Sequence, residues 1–310
     1  MVKSAGNELN MPKLQNVESG INSQLVKTFP NKHLANINSI SLSNNESFVL
    51  SSDDVHAYLW GLEDADRPFV AVDLLGNEKI EDIKENITFS KLHPTSDSLF
   101  IYGTNKGTLK MCDLRVSVHS DNNAVNFKNE TGSQQKNFIT DMISSYSGGE
   151  FIKSGKYIAT RDYLTVKVWD VCNAKKPLQN IVIQEGVKGK LCEMFENEAI
   201  FDKFSISSSA DGNTLMTGNY NNSFHMVDID SNAHTQYELN YKKTTVSKQI
   251  VAGKMPALQK IDYLRKTNAC DFNGKRNIAA VAALNCFYIY SMWLSLLLFC
   301  MFFKELEAEI

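Results

Sequence analysis

The sequence predicts an all-β fold, a β-propeller of about five consecutive four-stranded sheets (blades) over residues 36–290. The first observation is a tight turn followed by alternating apolar residues that end in Trp-Asp, clearest in the run 151–171, FIKSGKYIATRDYLTVKVWDV. The second is recurrence, because similar blocks end at Trp60, Cys112, Trp169 and Val227, about 50 to 60 residues apart, close to the spacing of propeller blades. One small sheet cannot bury both faces alone, so repeated sheets of this kind stack on one another.

The predicted elements follow in order along the chain. Residues 1–35 are polar and lack periodicity, which indicates a lead-in segment rather than a blade. The five blades are predicted at 37–74, 87–115, 151–187, 200–228 and 269–290. The polar stretches 117–136 and 230–260 are predicted to be loops, and residues 291–310 form a hydrophobic, atypical C-terminal tail.

The ending Trp169-Asp170 is typical of blades in WD40-type propellers. We interpret Trp60 and Trp169 as anchors between neighbouring blades, because large aromatic side chains dominate such packing. Asn, Asp and Gly occupy the turns of each copy, where positive φ or side-chain-to-backbone hydrogen bonds are needed.

The carboxyl-terminal run 286–303, CFYIYSMWLSLLLFCMFF, has two interpretations. Its start, up to Tyr290, fits the last strand of the fifth blade. The remainder is either a hydrophobic tail or a membrane tail anchor, but it is short for a span, which needs about 20 residues. We therefore do not expect a membrane partner.

Composition and motifs narrow the function classes. The net charge of −3 and the scattered Lys and Arg residues argue against a nucleic-acid partner. Six cysteines without paired spacing predict no zinc site, and with a polar N-terminus they indicate reduced thiols in the cytosol. No hydrolase, nucleotide-binding or metalloprotease motif is present, so we expect neither an enzyme nor a cofactor.

Several runs are more specific than a generic propeller: His93-Pro94, 106–108, 112–115, 155–170, 190–192, 196–197, 200–204 and 216–222. Over about Phe29 to Tyr290 they resemble the B-type (55 kDa class) regulatory subunit of serine/threonine protein phosphatase 2A. The resemblance implies a seven-bladed propeller that docks on the scaffold and catalytic subunits of the phosphatase and selects phosphoprotein substrates. The family's first blade, most of its second and its scaffold-gripping hairpin have no counterpart, so the resemblance implies a chain truncated at the N-terminus.

The resemblance also implies a substrate groove on one face of the propeller. Its residues would be Asp54, Ile83, Phe224, Tyr263 and Arg265. Asp54 would belong to an acidic rim that attracts basic segments of a substrate. The alternative is that the pair Asp53-Asp54 only supplies hydrogen bonds to a turn, which we expect mainly of Asp53.

Two alternatives to a phosphatase regulatory subunit stay open at this point. One is a generic WD-repeat interaction scaffold, and the other is a degenerate paralogue without phosphatase binding.

Overall fold

The computed structural model describes residues 24–64, 67–76, 79–116, 124–127, 138–239, 245–250, 261–273, 278–284, 286–293 and 296–303. Within them, five antiparallel sheets follow one another along the chain, as the recurring blocks predict. The all-β propeller is confirmed.

Each sheet is built from strands that are consecutive in sequence. The first sheet contains β1 (Ser39–Leu42), β2 (Phe48–Ser52), β3 (His56–Gly61) and β4 (Phe69–Asp73). The second contains β5 (Ile87–Leu92), β6 (Leu99–Thr104), β7 (Leu109–Asp113) and β8 (Val125–Phe127). The third contains β9 (Gly148–Ile152), β10 (Tyr157–Arg161), β11 (Thr165–Asp170) and β12 (Gln179–Val182). The fourth contains β13 (Ile206–Ser208), β14 (Thr214–Gly218), β15 (Ser223–Asp228), β16 (His234–Glu238) and β17 (Thr245–Ile250). The fifth contains β18 (Ala269–Phe272), β19 (Ile278–Ala283), β20 (Cys286–Trp293) and β21 (Leu296–Phe303).

Short helices lie in the connections. They are α1 (Phe138–Ser144), α2 (Leu191–Glu196) and 3-10 turns at Ile80–Asp82, Lys153–Gly155, Glu185–Lys190 and Ala199–Phe201.

The first strand of each sheet lies innermost. β1 contacts β5, β5 contacts β9, β9 contacts β13 and β13 contacts β18, so the five sheets stack around one axis. Residues of these five strands or their immediate N-terminal neighbours line a central cavity of about 420 Å³, which also extends over Ala280, Ala282 and Phe287 of the fifth sheet.

A separate apolar cluster fills each gap between neighbouring sheets. The Phe89 ring lies between the second and third sheets, directly against Gly103 and Gly149. A Cβ atom added at Gly103 would be 2.1 Å from a ring carbon, and one added at Gly149 would be 2.3 Å from a ring carbon. Both glycines are therefore required by close approach of the ring rather than by a turn. This interlocking is how each sheet buries an apolar face that it could not bury alone.

Trp169 is a packing anchor between neighbouring sheets, as predicted, whereas Trp60 packs against Phe29 of the lead-in segment, with ring centroids 5.4 Å apart. The Trp60 indole Nε1 donates to Ser51 Oγ at 2.7 Å, and Trp169 Nε1 donates to Thr160 Oγ1 at 3.0 Å. Trp169 is fully buried and meets the Phe127 ring edge-on at a centroid distance of 5.8 Å.

Two stretches predicted to be loops contribute strands. Residues 125–127 form β8, and Phe127 is only 2% exposed, because its ring packs on Trp169 across the gap between sheets. The prediction for 117–136 was wrong at that strand, since one buried aromatic outweighs a polar local composition. Likewise, 234–238 and 245–250 extend the fourth sheet as β16 and β17.

The apolar run 286–303 continues the fifth sheet past Tyr290. β20 extends to Trp293 and pairs with β21 over the register Phe287–Phe303 to Trp293–Leu296. The domain boundary predicted after residue 290 thus falls inside β20. In the described part of the chain, no helix has both the length and the apolar character needed to cross a bilayer.

Candidate functional site

The candidate site lies on the upper face, defined as the face where the first strand of each sheet begins and where the turn between its second and third strands lies. Asp54 lies in the β2–β3 turn of this face. Ile83 lies in the connection from the first to the second sheet, and Tyr263 and Arg265 lie in the connection from the fourth to the fifth. Four of the five residues predicted for the groove therefore share one face.

The neighbouring carboxylates Asp53 and Asp54 have different environments. Asp53 is fully buried and accepts hydrogen bonds from the backbone amides of Val55 (2.8 Å), His56 (2.6 Å) and Leu34 (3.1 Å). Burial alone would raise the pKa of Asp53, but these hydrogen bonds and one from His33 outweigh it and lower the pKa. Asp53 is thus the turn residue, as expected.

His33 connects the lead-in segment to this turn. Its Nδ1 is 2.9 Å from Asp53 Oδ2, and its Nε2 is 2.7 Å from Ser51 Oγ, which also accepts the Trp60 indole proton. A carboxylate only accepts, so His33 Nδ1 carries the proton in this pair. The chain Asp53–His33–Ser51–Trp60 fixes the lead-in against the first sheet.

Asp54 takes no part in the turn hydrogen bonds made by its neighbour. Its side chain is half-buried, and Oδ1 accepts a hydrogen bond from Asn38 Nδ2 at 2.7 Å. Its backbone carbonyl accepts from Ile87 N at 2.8 Å, which ties the turn to the start of the second sheet. The carboxylate therefore remains positioned at the surface, where a cationic group of a ligand could pair with it.

The connection that carries Ile83 is fixed to the second sheet. Thr104 Oγ1 donates to Glu85 Oε1 at 2.6 Å. The Asn86 amide donates to Asn105 Oδ1, and the Asn105 amide donates to the Asn86 carbonyl, both at 3.0 Å. Ile83 itself is half-buried, with Glu81 and Asp82 exposed beside it. The arrangement presents a small apolar contact between the exposed acids Glu81 and Asp82 on one side and the exposed Lys84 on the other.

Phe224 does not lie on this surface. It is 1% exposed, stacks on Tyr237 at 5.1 Å and meets Tyr290 at a tilt at 5.5 Å, inside the cluster between the fourth and fifth sheets. As the second residue of β15, it points into that gap, so a ligand on the upper face cannot contact it in this arrangement. The expectation of a groove-lining Phe224 is corrected to a core position.

Tyr263 and Arg265 lie on a well-anchored loop. Asp262 N donates to Asn221 Oδ1 at 2.6 Å, and Asn222 N donates to the Arg265 carbonyl at 3.0 Å. Both asparagines adopt positive φ, 59° and 48°, as expected for the tight β14–β15 turn. The Arg265 side chain is exposed, and the Tyr263 hydroxyl donates to Glu193 Oε1 of α2 at 2.9 Å.

An apolar surface that the sequence analysis missed lies between Asp54 and Ile83 on one side and Tyr263 and Arg265 on the other. We call Phe138, Phe195 and Phe201 the aromatic platform; they are 68%, 41% and 57% exposed. Ring centroids are 5.9 Å apart for Phe138–Phe195 and 6.2 Å for Phe195–Phe201. Phe201 lies in the run 200–204 that carries the family resemblance, whereas Phe138 sits on a short helix with no comparable signal.

A cavity of about 300 Å³ opens beside the platform, between the second and third sheets and the connections above them. Phe138 and Phe201 line it together with the cations Lys106 and Lys203 and the acids Asp141 and Asp202. Lys106 Nζ pairs with Asp141 at 3.0 Å, while Lys203 is exposed. Exposed aromatic rings beside a cavity with mixed charge suit a peptide segment with apolar anchors and polar flanks.

Among the described side chains, no group of three or more His, Cys, Asp or Glu residues is arranged to hold a metal ion. On the opposite face, His93 is a packing residue: Nδ1 accepts from Ser96 N at 3.1 Å and the ring meets Phe151 edge-on at 4.8 Å. Burial lowers the pKa of His93.

Comparison with known proteins points in one direction. No protein-family model matches the chain. The phosphatase 2A regulatory subunit phr2AB of Dictyostelium discoideum is 36% identical over 295 residues, covering 91% of this chain and 61% of that protein. The B beta isoform of the 55 kDa regulatory subunit of phosphatase 2A from Carassius auratus is 34% identical over 292 residues, covering 91% and 66%. The chain therefore spans less than two thirds of the length of these curated relatives.

A solved structure supports the fold alone. The β-propeller domain of Cps50 (Swd1) from Myceliophteria thermophila is 11% identical and superposes with a TM-score of 0.51 over 88% of this chain and 74% of that chain.

Proposed function

We propose, because the chain belongs to the 55 kDa B-type regulatory-subunit family of protein phosphatase 2A, that it binds the phosphatase core enzyme and directs its choice of substrate. The observation that carries this proposal is 34–36% identity to named regulatory subunits over 91% of the chain. Its relatives are named as regulatory rather than catalytic subunits, which fits a propeller that presents a binding face.

The partners in this proposal are the scaffold and catalytic subunits and phosphoprotein substrates. The cytosol is the proposed compartment, where thiols are kept reduced. Cys172, Cys192, Cys270 and Cys286 are free thiols in the structure, which agrees with that setting.

Substrate selection would occur on the upper face. Asp54 and the exposed acids near Ile83 attract basic segments and raise the rate of encounter. The aromatic platform supplies apolar anchoring at the centre of the face, and Tyr263 and Arg265 border it on the far side. Binding at this face holds a phosphorylated residue near the catalytic subunit, so the expected kinetic effect is a lower KM rather than a faster chemical step.

Co-purification tests the proposal. The full chain is mixed with the scaffold and catalytic subunits, and recovery is compared with that of an unrelated WD-repeat propeller at equal concentration. We expect specific recovery of both subunits. Recovery no greater than that of the unrelated propeller would instead favour a generic interaction scaffold or a paralogue without phosphatase binding.

A Phe201→Ala variant tests the face. It removes an exposed ring of the platform, so we expect assembly with the core enzyme to be retained and the KM for a bound substrate to rise. Because Phe201 is 57% exposed, the melting temperature should change little. An unchanged KM in an assembled complex would remove the platform from the proposed binding surface.

A further inference from the structure

Two buried tyrosines hold the segment that carries Phe201. Tyr163 comes from the β10–β11 turn and Tyr220 from the β14–β15 turn of the next sheet, and their hydroxyl oxygens are 2.9 Å apart. Both hydroxyls reach the Ala199 carbonyl, at 3.1 Å from Tyr163 and 2.8 Å from Tyr220. The Tyr220 hydroxyl is also 2.9 Å from Asp202 Oδ2. The contacts therefore grip residues 199 and 202, on either side of Phe201.

The two hydroxyls have two protons for four kinds of acceptor: the Asp202 carboxylate, the Ala199 carbonyl, the partner hydroxyl and, for Tyr163, the Met194 sulfur at 3.5 Å. The hydrogen bond from Tyr220 to the ionised carboxylate is the strongest of these, because charged acceptors form shorter and stronger hydrogen bonds. Tyr163 then donates to the Ala199 carbonyl, to the Met194 sulfur or to the Tyr220 oxygen. Burial raises the pKa of both phenols, so the hydroxyls remain donors at neutral pH.

The carboxylate is held from a second direction. Lys266 Nζ pairs with Asp202 Oδ1, and Asp202 is 12% exposed in this pair. Lys266 lies on the same loop as Tyr263, which packs edge-on against Tyr220 at 5.9 Å and donates to Glu193 of α2. Helix α2 carries Phe195. The two platform residues that do not lie on α1, Phe195 and Phe201, are therefore both connected to Tyr220 through these contacts.

We propose that Tyr163, Tyr220 and Asp202 act as positioning residues, a bracket that sets Phe195 and Phe201 in their ligand-binding geometry. The inference rests on the proposed function, which assigns the platform to substrate binding. Phe195 and Phe201 sit on one short α-helix and one 3-10 turn, elements too short to be rigid alone. A segment ordered before binding loses less conformational entropy when a ligand docks, which raises affinity without any direct contact from the bracket.

Tyr220→Phe tests the bracket with little change of shape, because only the hydroxyl is removed. The variant chain is assembled with the phosphatase scaffold and catalytic subunits, and KM and kcat are measured with phosphorylated linker histone as a Lys-rich probe. We expect KM to rise about fivefold, the equivalent of one buried hydrogen bond, with kcat unchanged. In the free chain, hydrogen exchange of the amides in 191–203 should accelerate by at least about fivefold, while exchange in the first sheet stays constant.

Ser51→Ala is the matched control, since it removes a buried hydroxyl that accepts from Trp60 in the first sheet, away from the platform. Asp202→Asn keeps an oxygen acceptor for Tyr220 but removes the charge opposite Lys266, and it should show a smaller change in exchange than Tyr220→Phe. If Tyr220→Phe raises KM no more than Ser51→Ala, the bracket is refuted while the regulatory function stands. If the wild-type chain assembles with no phosphatase, the proposed function fails, and exchange in 191–203 then decides the bracket by itself: unchanged exchange refutes it, and faster exchange supports it.

Discussion

Replacing Asp53 and Asp54 one at a time should separate a structural carboxylate from a surface one. Asp53→Ala leaves the amides of Leu34, Val55 and His56 and the ring of His33 without their acceptor in a fully buried site. Hydrogen bonds to a charged group contribute about 1.5–3 kcal/mol each and are not additive. We therefore expect a loss of about 3–5 kcal/mol in the free energy of unfolding, at the upper end of the effects of single substitutions.

The assay is thermal and urea unfolding of the full chain. At ~2–4 °C per kcal/mol for a protein of this size class, Asp53→Ala should lower the melting temperature by on the order of 10 °C. Asp54→Ala removes one half-exposed hydrogen bond, to Asn38, and should cost less than about 1 kcal/mol. Because the pKa of Asp53 is lowered in the fold, its contribution is present above its reference value of 3.8 and is lost as the pH falls through the folded pKa.

Binding provides the second half of this experiment. Asp54→Lys reverses a surface charge, so a basic ligand should bind more slowly and the salt dependence of binding should decrease, with the fold intact. Equal losses of stability in Asp53→Ala and Asp54→Ala would refute the division of roles. Unchanged affinity in a folded Asp54→Lys protein would remove Asp54 from the groove.

Three further changes have defined outcomes. Ile83→Ala should weaken the same basic ligand without altering its salt dependence, because it removes only apolar contact area; a titration at two ionic strengths checks this. Gly149→Ala places a methyl group 2.3 Å from the Phe89 ring and should lower the free energy of unfolding by about 1–3 kcal/mol. Gly186→Ala is the control and should be nearly neutral, because no atom lies within 4 Å of the added methyl group. Urea unfolding of both variants distinguishes close packing from a general effect of the methyl group. Burial lowers the pKa of His234 from 6.5 to about 4, so the unfolded chain binds the proton first and stability should fall as the pH drops from 6.5 to 4; a His234→Gln variant with the same pH slope would contradict that assignment.

The strand pattern could be predicted from sequence because its signals are local. Alternation, turn residues and the recurring Trp position locate β2–β3, β6–β7, β10–β11 and β14–β15 to within a few residues. The turn role of Asp53 also follows from local rules. In turns of many proteins an Asp side chain accepts a hydrogen bond from the backbone amide two residues later, as Asp53 does from Val55. Trp169 packs in the gap between two sheets, as expected of a large aromatic side chain in a strand, whereas Trp60 is covered by Phe29 of the lead-in, a contact that no local pattern predicts.

The site depended on contacts between distant segments. Phe224 comes shortly after a turn motif in the sequence, yet its side chain is covered by the fifth sheet. No local sequence pattern shows which face of a strand another sheet will cover. Val125–Phe127 became a strand because Trp169 offered Phe127 a buried partner. The aromatic platform comes from α1, α2 and a 3-10 turn, brought together only when the second, third and fourth sheets stack. Sequence determined the repeating sheets, since each is specified by its own residues; tertiary structure decided the binding face, since exposure of a side chain is fixed by whatever packs beside it.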